Sequence, residues 1–266
     1  MPLETDSRPA VTLVSTRRGT GAPVVPLHGL GLGAGMWAPF AERLAAHGFE
    51  AVCVNVRGHG GSTAVDRSAD LEDLAQDVRG HLADAGIERP HLVGFSMGGM
   101  IAMRLAADGL ALRSLTLVST SAQEEPLREQ YEATAAYLRE HALDDQSADM
   151  FTELLCSPGF LDGHPEIRRR YRELQRANDV RTGVYWASLA VIRRPNMEGR
   201  LAAIAAPTLV VCGTDDQQTP PSCARALVKA IRGAELAEIP RAGHLLVEES
   251  PELFYRAVLE HLGGRG

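Results

Sequence analysis

Compact apolar runs and amphipathic stretches alternate along most of the chain. Residues 11–17 alternate in the strand manner, and 22–27 form a short apolar run. Residues 36–47 read as a helix stopped by Gly48, and 50–56 as a strand that ends at a glycine-rich turn. Residues 71–85 carry Leu71, Leu74, Val78 and Leu82 at helical spacing before Gly86. Strands over 91–93 and 112–118 bracket an Ala/Leu/Met-rich helix over 100–107. The rhythm then breaks. Residues 121–195 hold no buried-strand run and read as four helices, near 127–141, 148–155, 165–177 and 182–192. It resumes with a strand over 206–213, a helix over 223–231, a strand over 234–239 and a helix over 251–262, leaving 263–266 as a frayed tail. Repeated strand–helix units predict a mostly parallel, twisted sheet with helices on both faces. Right-handed crossovers gather the loops that follow the strands at one sheet edge, where ligands bind. The expected organisation is a core of 1–120 and 196–266, with 121–195 as a helical cap inserted over that edge.

Three of those loops carry complementary chemistry. Gly94-Phe95-Ser96-Met97-Gly98-Gly99 lies between a strand and a helix. A serine at so sharp a turn projects its hydroxyl above the sheet, and the flanking glycines permit the strained backbone. A serine hydroxyl is a poor nucleophile until an imidazole takes its proton, and a carboxylate must orient that imidazole. The later strand ends supply both. One is followed by Gly213-Thr214-Asp215-Asp216, the other by Ala242-Gly243-His244. Asp215 and Asp216 compete for the acid; the spacing from Gly213 and to Thr219-Pro220 favours Asp216. The strand ending at Ser119-Thr120-Ser121 offers no carboxylate. His28-Gly29-Leu30-Gly31 follows another strand, and its flexible backbone can aim the Leu30 N–H at the same point as the Met97 N–H, as an oxyanion requires.

The motifs His28-Gly29-Leu30-Gly31, Arg57-Gly58-His59-Gly60-Gly61-Ser62, Gly94 to Gly99, Gly213-x-x-Asp216-x-x-Thr219-Pro220 and Gly243-His244, in this order, resemble the α/β-hydrolase superfamily over nearly the whole chain. The Ser-Met-Gly-Gly-Met and Asp-x-x-Thr-Pro-Pro forms are similar to its 3-oxoadipate enol-lactonase-like branch. The resemblance implies an α/β-hydrolase fold with a serine esterase or lactonase activity. It makes Ser96 the nucleophile, Asp216 the acid and His244 the base, with Leu30 and Met97 N–H groups in the oxyanion hole. Neither an organic cofactor nor a metal is implied. Two departures stand out: Pro26 falls inside a strand, where it removes a ladder donor, and Asn55 replaces the aspartate common before the Arg-Gly-His-Gly turn.

Composition narrows the partners. The 266 residues carry a net charge of -7, which leaves no dominant positive field for a nucleic acid. No apolar run approaches the roughly 18 residues of a membrane span, and residues 1–18 lack the apolar region of a secretory signal. The expected partner is a small-molecule ester or lactone, and the expected compartment is the cytoplasm; oligomeric state is left open. Basic residues are almost all arginine, with Lys229 the sole lysine, a compositional bias. Cys53 and Cys212 fall in strand-like runs and read as small buried hydrophobes. His28 and His59 read as structural histidines that bind loop backbone, and Arg168-Arg169-Arg170 with Arg172 as a solvated helix face. Tyr137 and Trp186, with Met150 and Phe151, are candidates to line a substrate pocket beneath the cap. Rival functions on the same constellation are a tailoring lyase, dehydratase or cyclase, a carbon–carbon bond hydrolase, and a non-catalytic ligand receptor.

Overall fold

The structure, a computed structural model, describes residues 11–141 and 143–263. Seven strands form one sheet: β1 (Ser15–Arg18), β2 (Ala22–Leu27), β3 (Phe49–Val54), β4 (His91–Phe95), β5 (Ser114–Val118), β6 (Thr208–Gly213) and β7 (Glu235–Ile239). Their order is β1-β3-β2-β4-β5-β6-β7. Only β1 pairs antiparallel, with β3; every other pair is parallel. The helices are α1 (Ala38–Ala46), α2 (Leu71–Asp84), α3 (Met97–Ala107), α4 (Arg128–His141), α5 (Asp145–Leu155), α6 (Pro165–Arg176), α7 (Tyr185–Ile192), α8 (Pro221–Ala230), α9 (Leu246–Glu249) and α10 (Pro251–Gly263). Among the described residues, no helix is long and apolar enough to cross a membrane.

The central strands are buried on both faces, which is why they read as continuous apolar runs and not as alternation. Adjacent residues still diverge: Val25, Leu92 and Val210 enter a core with α2, α3 and α8, whereas Val24, Val93 and Val211 enter one with α1 and α10. The aromatic side chains gather in the second core, where Trp37, Phe40 and Phe254 pack ring against ring. At the sheet edges the strands carry charge, with Arg17 and Arg18 on β1 and Glu235 and Glu238 on β7, which discourages further pairing. Lys229 lies exposed in the last turn of α8.

Three sequence expectations shift. The strand expected over 11–17 shortens to β1, because residues 12–14 bond instead to the turn after β3, through Thr63 and Ser62. The helix expected over 36–47 splits into a 3-10 turn, Ala34–Trp37, and α1, whose first turn accommodates Pro39. The helix expected over 182–192 begins as a π-helical turn, Val180–Val184, capped by the Asp179 side chain, and continues as α7. Pro26 leaves its mark as well: the β2–β3 register pairs Val24 with Ala51 and Leu27 with Val54, stepping over Val25 and Pro26. The β2–β4 ladder on the other side is continuous through Pro26.

The chain between β5 and β6 is helical, as its polarity pattern implies. Within it α5 packs on α6 and α4 on α7. Of the Arg168–Arg172 run, Arg169 is exposed as a solvated face requires, and the other three arginines are paired. Arg168 pairs with Glu153, Arg172 with Asp149 and Asp145 of α5, and Arg170 with Glu248 of α9.

Candidate active site

Ser96 joins β4 to α3 at φ 52°, ψ −115°, in the region that L-residues rarely enter. Holding a non-glycine residue there costs on the order of 1–3 kcal/mol, and the surroundings must over-determine it. They do. The Ser96 N–H donates to Val118 O at 2.9 Å, and its carbonyl accepts the Thr120 hydroxyl at 2.8 Å and the Met100 N–H at 3.1 Å. The two sides are close-packed: a Cβ on Gly98 would collide with the Leu27 carbonyl, and one on Gly94 would lie 2.5 Å from the Gly98 carbonyl. The turn is therefore wedged between β2 and β5 and presents a partly exposed serine at the edge where the strands end.

His244 reaches the same edge from the loop between β7 and α9. Its ring packs against Phe95, the residue before Ser96, with centroids 5.1 Å apart. Its Nδ1 donates to the Asp216 carboxylate at 2.9 and 3.0 Å. Asp216 is buried, at 1% exposure, whereas Asp215 is exposed and accepts the hydroxyl of neighbouring Thr214. The spacing argument thus selects the carboxylate that meets the histidine. Asp216 also accepts the Gln218 N–H, the Thr219 N–H and, at 2.8 Å, the Thr219 hydroxyl. Burial alone would raise the Asp216 carboxyl, but the charge and hydrogen bond of His244 and the Thr219 bonds outweigh it and hold it below its ordinary value. Thr219 appeared in the sequence as part of a spacing pattern; its hydroxyl, 3.3 Å from the His244 Nδ1, is a member of the site.

Leu30 lies in a turn closed by the Leu32 N–H on Gly29 O at 3.3 Å, with Gly31 in the left-handed region at φ 73°. The two buried histidines build this turn. His28 Nδ1 donates to Gly29 O and its Nε2 accepts the Val56 N–H, at 2.8 and 2.9 Å. His59 Nδ1 donates to Arg57 O, and its Nε2 accepts the Gly31 N–H at 3.0 Å. Both rings are neutral acceptors in this network. Burial, aided by the neighbouring His59, lowers His28 to about 3; burial lowers His59 to about 4 against its backbone hydrogen bonds. Asn55 completes the frame. Its Oδ1 accepts the Ala34 N–H at 2.6 Å and its Nδ2 donates to Gly60 O at 3.2 Å. An aspartate could make the first bond and not the second.

Tyr137 and Trp186 are not placed as a pocket-lining pair beside these groups. Tyr137 is 59% exposed and stacks on His141 of its own helix. Trp186 turns its indole N–H to Asp66 at 2.8 Å, beside a surface hollow of about 470 Å³ between α7 and the start of α2. Met150 is equally exposed. Helical spacing identifies the faces of an isolated helix but not which face its neighbours cover. Of the four candidates, Phe151 approaches the site: its ring would lie 3.8 Å from a Cβ on Gly31. Sequence reasoning missed Asn178, which donates to Gly31 O at 2.7 Å across 147 positions of chain. It also missed Glu249, which accepts the Gly243 and Ser157 N–H groups at 3.1 and 3.0 Å.

Residues 24–257 match the model of the alpha/beta hydrolase family. A Klebsiella pneumoniae protein provisionally named as the carbamate hydrolase RutD is 32% identical over 235 residues, 84% of this chain and 85% of its own. Among solved structures, a thermophilic esterase from Thermogutta terrifontis superposes with a TM-score of 0.87 at 30% identity, covering 95% of this chain and 93% of its own. The enol-lactonase from Burkholderia xenovorans does so with a TM-score of 0.85 at 26% identity, covering 95% and 96%. With a sheet order and helical cover that agree with the match, this chain belongs to the alpha/beta hydrolase family.

Proposed function

We propose that the protein is a serine hydrolase that cleaves a carboxylic ester or lactone through an acyl-enzyme. The observation that supports this reading is the hydrogen-bonded Asp216–His244 pair packed on Phe95, the residue that precedes Ser96 in a strained strand-to-helix turn. With Nδ1 committed to Asp216, Nε2 is the ring nitrogen that serves as base. It takes the Ser96 proton as Oγ attacks the substrate carbonyl carbon. The carbonyl π bond opens to an oxyanion, which the Leu30 and Met97 N–H groups stabilise. His244 then returns the proton to the leaving alkoxide as the carbon–oxygen bond breaks. A water, deprotonated by the same nitrogen, repeats the addition and releases the acid and Ser96. Asp216 fixes the tautomer and offsets the charge on the imidazolium; its depressed pKa keeps it ionised throughout. In this reading the helices of 121–195 form the cap that shapes and shields the substrate site.

Esterase and enol-lactonase neighbours support an ester-type carbonyl, and the RutD relative extends the panel worth testing to carbamates. The test is Ser96→Ala. Turnover of p-nitrophenyl acetate and covalent labelling by a fluorophosphonate should both vanish, with far-ultraviolet circular dichroism and Tm retained. Undiminished turnover in that variant would sink the acyl-enzyme mechanism.

A further inference from the structure

We infer that Asn178 is a positioning residue for the anion-binding turn, so that the seating of the helical insertion on the core sets the rate of the chemical step. The inference rests on the acyl-enzyme reading, in which the Leu30 N–H is one of the two oxyanion donors. What matters for such a donor is where its peptide plane points, because the stabilisation depends on preorganised geometry.

The turn 29–32 is fixed from two directions by two different parts of the chain. From the core, His59 takes the Gly31 N–H. From the insertion, the Asn178 Nδ2 donates to the Gly31 carbonyl. Consecutive peptide planes, one on each side of Gly31, are therefore held by separate elements. Gly31 has a positive φ and no side chain of its own to resist rotation, so these two bonds decide its orientation. Without the second bond, the Gly31–Leu32 peptide can turn about the Gly31 dihedrals and withdraw the Leu32 N–H from Gly29 O, which leaves the Gly29–Leu30 peptide, the one that carries the Leu30 N–H, held by His28 alone.

Asn178 is itself tightly held. Its N–H donates to Gln175 O at 3.2 Å as α6 ends, and its Oδ1 accepts the Gly60 N–H at 2.9 Å. That second bond fixes which end of the amide faces Gly31. The next residue, Asp179, donates its N–H to Gly58 O at 3.3 Å. Gly58 and Gly183 meet backbone to backbone, so closely that a Cβ on either would collide with the other. The stretch from Asn178 to Val184 includes the π-helical turn, a rare conformation that often marks a functional position. The insertion is thus pressed onto the Arg57–Gly61 turn, and through Asn178 that contact is passed to the turn that carries Leu30.

Two variants separate this role from simple docking. Asn178→Asp keeps an acceptor for the Gly60 N–H and loses the donor to Gly31; Asn178→Ala loses both. The assay is steady-state hydrolysis of p-nitrophenyl acetate, with the rate of fluorophosphonate labelling and amide hydrogen exchange across residues 29–33. Both variants should lower kcat and the labelling rate on the order of ten-fold, less than the loss of a donor outright, with KM changed less than about two-fold. Exchange across 29–33 should accelerate in both. The Asp216–His244 proton should keep its low-field NMR resonance, which places the defect away from that pair. An unchanged kcat in Asn178→Asp, a loss confined to KM, or unchanged exchange across 29–33 would each overturn the inference. A wild-type protein that neither turns over nor labels would instead overturn the acyl-enzyme reading, and the exchange measurement would still decide whether Asn178 holds the turn.

Discussion

The two halves of the helical insertion meet the core in opposite ways. The α5–α6 half is bonded to the loops that carry the site. Leu155 O accepts the Leu245 N–H at 2.7 Å, Glu249 clasps Gly243 and Ser157, and Asn178 holds Gly31. Its Tyr171 is fully buried and donates to Glu248 at 3.0 Å. The α4–α7 half puts Ala187 and Ala190 of α7 into the core with α2 and α3, but its polar contacts lie at the surface. Ala135 is the buried residue of α4. Across this contact Arg139 and Trp186 share the exposed Asp66, each at 2.8 Å, with the Arg139 guanidinium over the Tyr185 ring. Buried bonds to backbone fix geometry, whereas exposed ion pairs contribute little and exchange readily with water. One half of the insertion is bonded to the backbone of the loops that carry Leu30 and His244, and the other makes exposed ion pairs.

The comparison can be broken most forcefully at Tyr171. Tyr171→Ala removes a buried aromatic and exposes the Arg170–Glu248 pair, and should cost about 3–5 kcal/mol in denaturant titration. A loss below about 1 kcal/mol would mean that the α5–α6 half is no better seated than the other.

Acid acts on the core turn that this half holds, through His28 and His59. Both have folded-state values below the ordinary 6.5, about 3 and about 4, so the unfolded chain binds more protons between. Their contribution is complete above pH 6.5 and declines as pH falls toward those values. From pH 6 to pH 5 the two together should remove roughly 2 kcal/mol, seen as a falling Tm. Protonated His59 can no longer accept the Gly31 N–H, so exchange across 29–33 should quicken before it does in α4. Simultaneous loosening of both would erase the distinction.

Glu249→Gln keeps one good acceptor where two backbone N–H groups converge, and should cost about 1 kcal/mol with faster exchange at Gly243 and Ser157. Asp66→Ala, on the loosely held half, should cost about 0.5 kcal/mol and leave kcat for p-nitrophenyl acetate unchanged. A kcat loss there comparable to that of the Asn178 variants would show that both halves reach the chemistry.

The same division explains what was legible in the sequence. The alternation of strands and helices, the Ser96 turn, and the Asp216 and His244 loops could be read because each is local: an apolar run, a glycine, then a candidate residue. His28 and His59 could be assigned to loop backbone for the same reason, lying within turns whose glycines mark them. The insertion obeys no such rule. Its helices were visible from composition, but which faces are covered depends on partners far along the chain. Trp186 therefore turned to Asp66, 120 positions away, and Tyr137 to solvent. Asn178 and Glu249 are ordinary polar residues at helix ends, with no spacing that betrays Gly31 or Gly243 as their partners. The paired arginines of α6 were misread as solvated because the acids they meet lie mostly on α5, a face that periodicity alone cannot place.

The scarcity of lysine has a practical side. α8 starts just beyond the Asp216 loop and runs back along the sheet, so Lys229 in its last turn lies at the far end from Ser96. It is also the only side-chain amine in the chain. With the α-amino group blocked, amine-directed coupling to a bead or a fluorophore through that residue would fix the molecule in one orientation, with the strand-end edge facing outward and unmodified.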